Sequence, residues 1–184
     1  MTLSRVRYFL WALVAVVSAT TALFMLPQYA IDGSQKSDVV IGGSFSMTSH
    51  LGQPATEQDY IGQPMAMFFC FINCPDICPT TLLRMTDLMK KLGPDADKLQ
   101  VVLVSVDPER DTPEILKSYL AQFDPRFSAM TGTPEQLAAF AKGYRFVYKK
   151  VLLGGVNYTM DHSAGVYLYD AEGAFVGTLD PHEK

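Results

Sequence analysis

The sequence has no basic run. Lysine and arginine number 15 against 19 acidic residues, for a formal net charge of −4. That balance argues against nucleic acid as a partner. There is no acid before Asp32, although Arg5 and Arg7 precede it. Internal repeats and low-complexity stretches are missing too, so neither a solenoid nor a disordered chain is expected. Nothing at the N-terminus resembles an Arg- and Ser-rich transit peptide. Tryptophan occurs once, at Trp11, and no proline falls between Pro134 and Pro181. With 48% hydrophobic and 11% aromatic residues, the remainder suits one globular domain with its own core.

Residues 8–26 form an uncharged run of 19. At 1.5 Å per residue such a helix is about 28 Å long, against a hydrocarbon layer of roughly 30 Å. Arg5 and Arg7 in front of it would keep the N-terminus in the cytoplasm and send the rest across. The expectation is an N-terminal transmembrane anchor over 1–27, a breaker-rich linker over 28–40 and a domain over 41–184. A cleaved signal peptide is the rival, and no clean Ala-x-Ala site follows the run. The compartment expected is the bacterial periplasm, with the chain held in the inner membrane.

The domain alternates strand and helix patterns. Residues 45–48 read as a short strand. Residues 65–71 and 100–106 are continuous apolar runs, as in strands buried on both faces. Residues 80–92 carry apolar side chains at 82, 85, 88, 89 and 92, a helical stripe ended by Gly93-Pro94. Asp111-Thr112-Pro113-Glu114 opens a helix to about 123, and Thr133-Pro134-Glu135 opens another to about 144. Residues 146–152 read as a strand, and 165–169 with 174–179 as a hairpin. The fold class is α/β, in a thioredoxin-like order with a central sheet flanked by helices. That fold normally closes with one more helix after the hairpin, and the sequence stops at Lys184 right after the last strand.

The chemistry lies in Asn73-Cys74-Pro75-Asp76-Ile77-Cys78-Pro79 and in Met160-Asp161-His162-Ser163. Two thiolates and an imidazole form a soft three-ligand set that suits copper. Cys74 follows the first buried strand and Cys78 starts the next helix, with Pro79 at its first position. The positive end of the helix favours thiolate there. The same spacing allows a redox dithiol. Cys70 makes a second CxxxC with Cys74. In a strand four residues span roughly 13 Å, so Cys70 is read as a small buried hydrophobe; the Cys70–Cys74 pairing is the alternative. His162 stands 84 residues beyond Cys78, in a loop that such a fold turns toward the cysteines. No proline in that loop means no cis-proline clamp for a peptide substrate. Asp161 either orients the imidazole or caps the loop. Met160 is read as core, His50 and His182 as surface residues, and Lys149-Lys150 as a solvated pair. A peroxiredoxin would need Thr where Phe71 stands. A structural zinc site wants four ligands, and no fourth is evident.

Several stretches together resemble the Sco/SenC family of copper-handling cytochrome c oxidase assembly factors. They are Cys74-Pro75-Asp76-Ile77-Cys78-Pro79, Asp107-Pro108-Glu109-Arg110-Asp111-Thr112-Pro113, Thr131-Gly132-Thr133, residues 144–150 and Met160-Asp161-His162-Ser163. The resemblance covers about 40–180. It implies a thioredoxin-like fold, a membrane anchor and copper, Cu(I) or Cu(II), held by Cys74, Cys78 and His162. It also implies action at the binuclear copper site of oxidase subunit II, with other periplasmic copper carriers or thiol reductants as further partners. Copper delivery leads. The alternative is a thiol–disulfide oxidoreductase that reduces the cysteines of subunit II. Cys70 and Asn73 depart from the family pattern, which more often has Gly and His there.

Overall fold

The computed structural model describes residues 11, 16–18, 20, 21 and 41–180. The chain divides into two compact units, Met1–Val39 and Val40–Lys184. In the first, the described residues are helical, and the Thr20 hydroxyl donates to the Val16 carbonyl at 2.9 Å. Among the described residues no helix is long and apolar enough to cross a membrane. Most of the anchor expected over 1–27, the linker and His182 lie outside the described residues.

The second unit is built on a seven-stranded sheet in the order β2-β1-β5-β4-β3-β8-β9. Its strands are β1 (Ser46–Ser49), β2 (Pro54–Thr56), β3 (Met65–Cys70), β4 (Gln100–Ser105), β5 (Ser128–Thr131), β8 (Val166–Tyr169) and β9 (Phe175–Leu179). β3, β4 and β5 run parallel; β8 is antiparallel to β3, and β9 to β8. The central run β4-β3-β8-β9 is the order expected of a thioredoxin-like fold. A separate two-stranded hairpin pairs β6 (Tyr148–Gly154) with β7 (Asn157–His162).

All six residues of β3 are buried, as a strand covered on both faces requires. Helix α1 (Ile77–Leu92) buries Leu82, Met85 and Met89 against the core. It stops at Gly93, whose φ of 55° lets its N–H return to the Lys90 and Met89 carbonyls, a conformation costly to side-chain-bearing residues. Helices α2 (Pro113–Leu120) and α3 (Pro134–Tyr144) both carry Pro at the first turn and a threonine cap, Thr112 and Thr133. Gln136 completes a reciprocal capping box with Thr133, as such sequences favour.

Four expectations are corrected. α1 begins at Ile77, so Cys78 is its second residue and Pro79 its third. Proline costs nothing there, because first-turn N–H groups lack helical partners anyway. α2 ends at Leu120, where the chain turns and the Phe123 N–H reaches the Leu120 carbonyl at 3.0 Å. β2, β5 and β7 were not expected. His162 closes β7, opposite Tyr148, and is not a loop residue.

One buried carboxylate joins the ends of the two central strands. Asp111 accepts from the Ser105 hydroxyl at 2.6 Å and from the Ile72 N–H at 3.1 Å. Ser105 ends β4, and Ile72 lies two residues beyond β3. The Asp111 residue is 2% exposed. Burial raises its carboxyl from 3.8 to about 6, against the opposing pull of Ser105, Ile72 and Arg110, with Asp107 adding to the rise.

The folded state thus holds this proton more tightly than the unfolded chain. Its contribution to stability is fully present below about pH 4 and is lost as pH rises through about 6. At about 1.36 kcal/mol per pKa unit, the window is worth roughly 3 kcal/mol at most. Asp111→Asn should therefore gain stability relative to the native sequence as pH rises from 4 to 7. Urea unfolding of both proteins at intervals across that range measures it. A constant difference between the two curves would contradict the assignment.

Candidate metal centre

The cysteine segment leaves the end of β3, makes a turn and enters α1. The turn is closed by the Cys74 N–H, which donates to the Phe71 carbonyl at 3.1 Å. Cys74 is a free thiol, half-buried. Burial raises the nearby Tyr119 phenol, and a thiolate at Cys74 would add to the rise. Cys78 is fully buried. Its sulfur is bonded to Cys70, with the Cα atoms 5.7 Å apart.

This corrects the reading of Cys70. It is buried, as expected, but it is not an inert apolar filler. The strand argument separates Cys70 from Cys74. It does not exclude Cys78, because the chain reverses after β3 and brings the first turn of α1 back over the strand end.

His162 arrives from the hairpin. Its ring stands edge-on to Phe71, with centroids 5.8 Å apart and planes at 87°. Phe71 is the residue after Cys70 and three before Cys74, so the 84-residue separation is closed in space to one aromatic ring. The His162 Nδ1 contacts the Ser163 carbonyl at 2.9 Å. A carbonyl only accepts, so Nδ1 carries the proton and the neutral ring keeps its lone pair on Nε2. The Ser163 carbonyl, and not Asp161, takes the orienting role. Asp161 is exposed and faces Lys149 across the hairpin.

The loop after β4 fastens this hairpin. Arg110 pairs with Asp107, donates to the Tyr158 carbonyl at 3.1 Å and lies 3.7 Å above the Tyr158 ring. The Tyr158 hydroxyl donates to Asp107 at 2.9 Å. Lys150 bonds Glu109 at 2.6 Å, and its Nζ lies 3.9 Å from the centroid of the Tyr158 ring. Lys150 is therefore engaged and not simply solvated. His50 is half-buried and paired: its Nδ1 accepts from the Ala129 N–H at 3.2 Å. Met160 is buried core, as expected.

Asp107, Arg110, Asp111 and Tyr158 position the site, yet none was singled out as a site residue. A signal was there: three acids and an arginine within five positions, directly after an apolar strand, in a chain with few charges. Among the described residues no three His, Cys, Asp or Glu side chains are grouped to hold a metal ion. With Cys78 bonded to Cys70, only Cys74 and His162 have free donors. The structure therefore brings the histidine to the cysteine segment without assembling the three expected ligands around one point.

The SCO1/SenC family model matches residues 33–184. Protein SCO2, mitochondrial, of Saccharomyces cerevisiae is 38% identical over 144 residues, covering 77% of this chain and 48% of that protein. The human protein SCO1 homolog, mitochondrial, is 35% identical over 151 residues, covering 79% of this chain and 49% of that protein. The chain thus spans about half the length of these relatives. Among solved structures, Bradyrhizobium japonicum ScoI with copper bound is 40% identical with a TM-score of 0.74, covering 78% of this chain and 92% of that one. Yeast Sco1 with copper bound is 34% identical with a TM-score of 0.70, covering 78% and 83%. By its sequence, its sheet order and the placement of its cysteine and histidine segments, the chain belongs to the SCO1/SenC family.

Proposed function

We propose that this chain is a copper metallochaperone that takes part in assembling the binuclear copper site of cytochrome c oxidase, with subunit II as its partner. Its ligands are Cys74, Cys78 and His162, and it works as a single-pass protein of the bacterial inner membrane with its domain in the periplasm. The observation that carries the reading is the His162 ring against Phe71, with the Nε2 lone pair left free. Copper-bound relatives at 34–40% identity support the choice of metal. Two sulfurs and an imidazole match its preferences, in the cuprous form above all.

Copper is cargo here, so it must bind and leave. Reduction of the Cys70–Cys78 bond by two electrons and two protons frees the Cys78 thiol. Cuprous ion then replaces protons on Cys74 and Cys78. His162 completes a trigonal set from the hairpin. Arg110 and Tyr158 touch no ligand; they hold the strand that carries His162.

A second reading has one observation in its favour. A disulfide beside a free thiol is also the resting state of a thiol–disulfide oxidoreductase acting on the cysteines of subunit II, with Cys74 as the attacking thiolate. His162 separates the two, since disulfide exchange does not need an imidazole ligand.

Competitive Cu(I) titration of the fully reduced chain tests the ligand set. Cys74→Ala, Cys78→Ala and His162→Ala should each weaken binding by more than about a hundredfold, roughly 2.7 kcal/mol. Cys70→Ala should bind as the native chain does. Stoichiometric high-affinity binding by Cys78→Ala would sink the reading. Arg110→Ala should weaken copper by roughly 10–100-fold, as loss of a supporting contact does, while amide exchange quickens over 157–162 and not over 65–70. For the two roles, His162→Ala should abolish oxidase maturation in cells and leave reduction of a model disulfide by Cys74 unchanged. Maturation that survives the substitution would favour the oxidoreductase.

A further inference from the structure

The chain has three cysteines, and the ligand set uses two. The third is bonded to one of those two. We propose that Cys70 is a redox gate for the copper site: its disulfide with Cys78 holds one ligand out of reach, and Cys74 is the thiol through which that bond is opened. This rests on the ligand reading above and goes beyond it, because it assigns a resting state, an order of events and a class of reductant.

Position brings Cys70 and Cys78 within disulfide reach. Cys70 is the last residue of β3, fixed by parallel pairing with Ser105 and by its carbonyl, which accepts from the Val106 N–H at 2.8 Å. Cys78 is fixed in the first turn of α1. Their Cα separation of 5.7 Å lies within the range of about 4.4–6.8 Å that a disulfide requires. Reduced Cys78 is needed for the metal, so while the bond stands, the copper ligands number two at most.

Burial decides how the bond can be opened. Cys70 and Cys78 are 0% and 1% exposed. Exchange requires an attacking thiolate to reach a sulfur in line, so access controls its rate. A protein thiol in solvent has no path to either sulfur. Cys74 is the other thiol of the chain, half-buried at the surface of the same turn, and the CxxxC spacing at a helix start lets its sulfur meet that of Cys78.

The exchange balances without an external electron. The Cys74 thiolate attacks the Cys78 sulfur, a Cys74–Cys78 bond forms, the Cys70–Cys78 bond breaks, and the electron pair leaves on Cys70. Cys70 takes up the proton that Cys74 gave to solvent. The disulfide has then moved from the interior to the half-exposed position of Cys74. A thioredoxin-class protein dithiol supplies the two electrons for the next step. One of its thiolates attacks the Cys74 sulfur and Cys78 leaves as thiolate. Its second thiol resolves the mixed disulfide, leaving an oxidised reductant and a reduced Cys74/Cys78 pair. Without this relay, the bond between β3 and α1 is only a structural staple, closed to the reductant or open to it directly.

Thiol mapping separates these cases on the full chain in detergent. The air-isolated protein is blocked with N-ethylmaleimide in denaturant and cleaved before aspartate. Cleavage at Asp76 parts Cys78 from Cys70 and Cys74. The relay requires the label on Cys74 and a disulfide joining Cys70 to Cys78. With a thioredoxin variant lacking its resolving cysteine as probe, the trapped mixed disulfide should sit on Cys74, with Cys70 and Cys78 both labelled. Cys74→Ala should keep its disulfide against reduced thioredoxin, with a rate on the order of a hundredfold lower, yet lose it to a phosphine in denaturant. Cys70→Ala should oxidise in air to a Cys74–Cys78 bond with no free thiol. A label on Cys70 in place of Cys74 in the air-isolated native chain overturns the proposal. So does reduction of Cys74→Ala at the native rate. None of these readings involves copper, so they stand or fall separately from the ligand titration.

Discussion

The site depends on Asp111. Its carboxylate is the one acceptor shared by the end of β4, through Ser105, and by the segment that leaves β3, through the Ile72 N–H. Two parallel strands end side by side, and their chains must then part, one toward the cysteine turn and one toward α2. An unmet N–H at that fork would cost about 1–3 kcal/mol in a buried setting. Asp111 meets it, and burial in turn makes its own charge expensive. The carboxyl near 6 records that compromise.

From this fork the loop from 107 to 111 reaches in two directions. Inward, Asp111 secures the strand ends. Outward, Asp107, Glu109 and Arg110 take hold of Tyr158 and Lys150 on the hairpin. A single turn of chain therefore sets the relation between the cysteines and the histidine, although it supplies no ligand. Partly buried charge pairs of this type add little net stability when desolvation is counted. Their effect is geometric: they fix where β7 lies, and so where His162 stands relative to Phe71.

The central sheet was legible because burial on both faces leaves a plain trace. The runs over 65–71 and 100–106 are apolar without interruption, and each is a strand within one residue of its reading. The helix starts were legible from Thr112-Pro113 and Thr133-Pro134, where cap chemistry is local. β5 was not, since Ser128–Thr131 has four residues of mixed character and becomes a strand only by lying beside β4. β7 does alternate, polar at Asn157, Thr159 and Asp161 and less polar at Tyr158 and Met160, a trace that was there to read and that its pairing with β6 bears out. The sulfur pairing was illegible in kind. Cys70 and Cys78 are eight apart in sequence, a spacing with no meaning in a strand or a helix alone, and they meet because one element ends and the other folds back over it. The histidine was placed near the cysteines by the order of elements, while its contact with Phe71 and its carbonyl partner needed coordinates.

The hairpin shares no ladder with the main sheet. Under the proposed ligand set, the donors for one ion come from two parts of one compact unit, the sulfurs from the turn and helix after β3 and the imidazole from an appended arm. A cargo ion held this way can be surrendered stepwise. Lifting the end of the arm would remove the imidazole first and leave two sulfurs still gripping, at the expense of the side-chain contacts around Tyr158 and the core packing of Met160. Transfer to an acceptor then needs no unfolding of the donor, only that the acceptor offer a ligand as the arm withdraws.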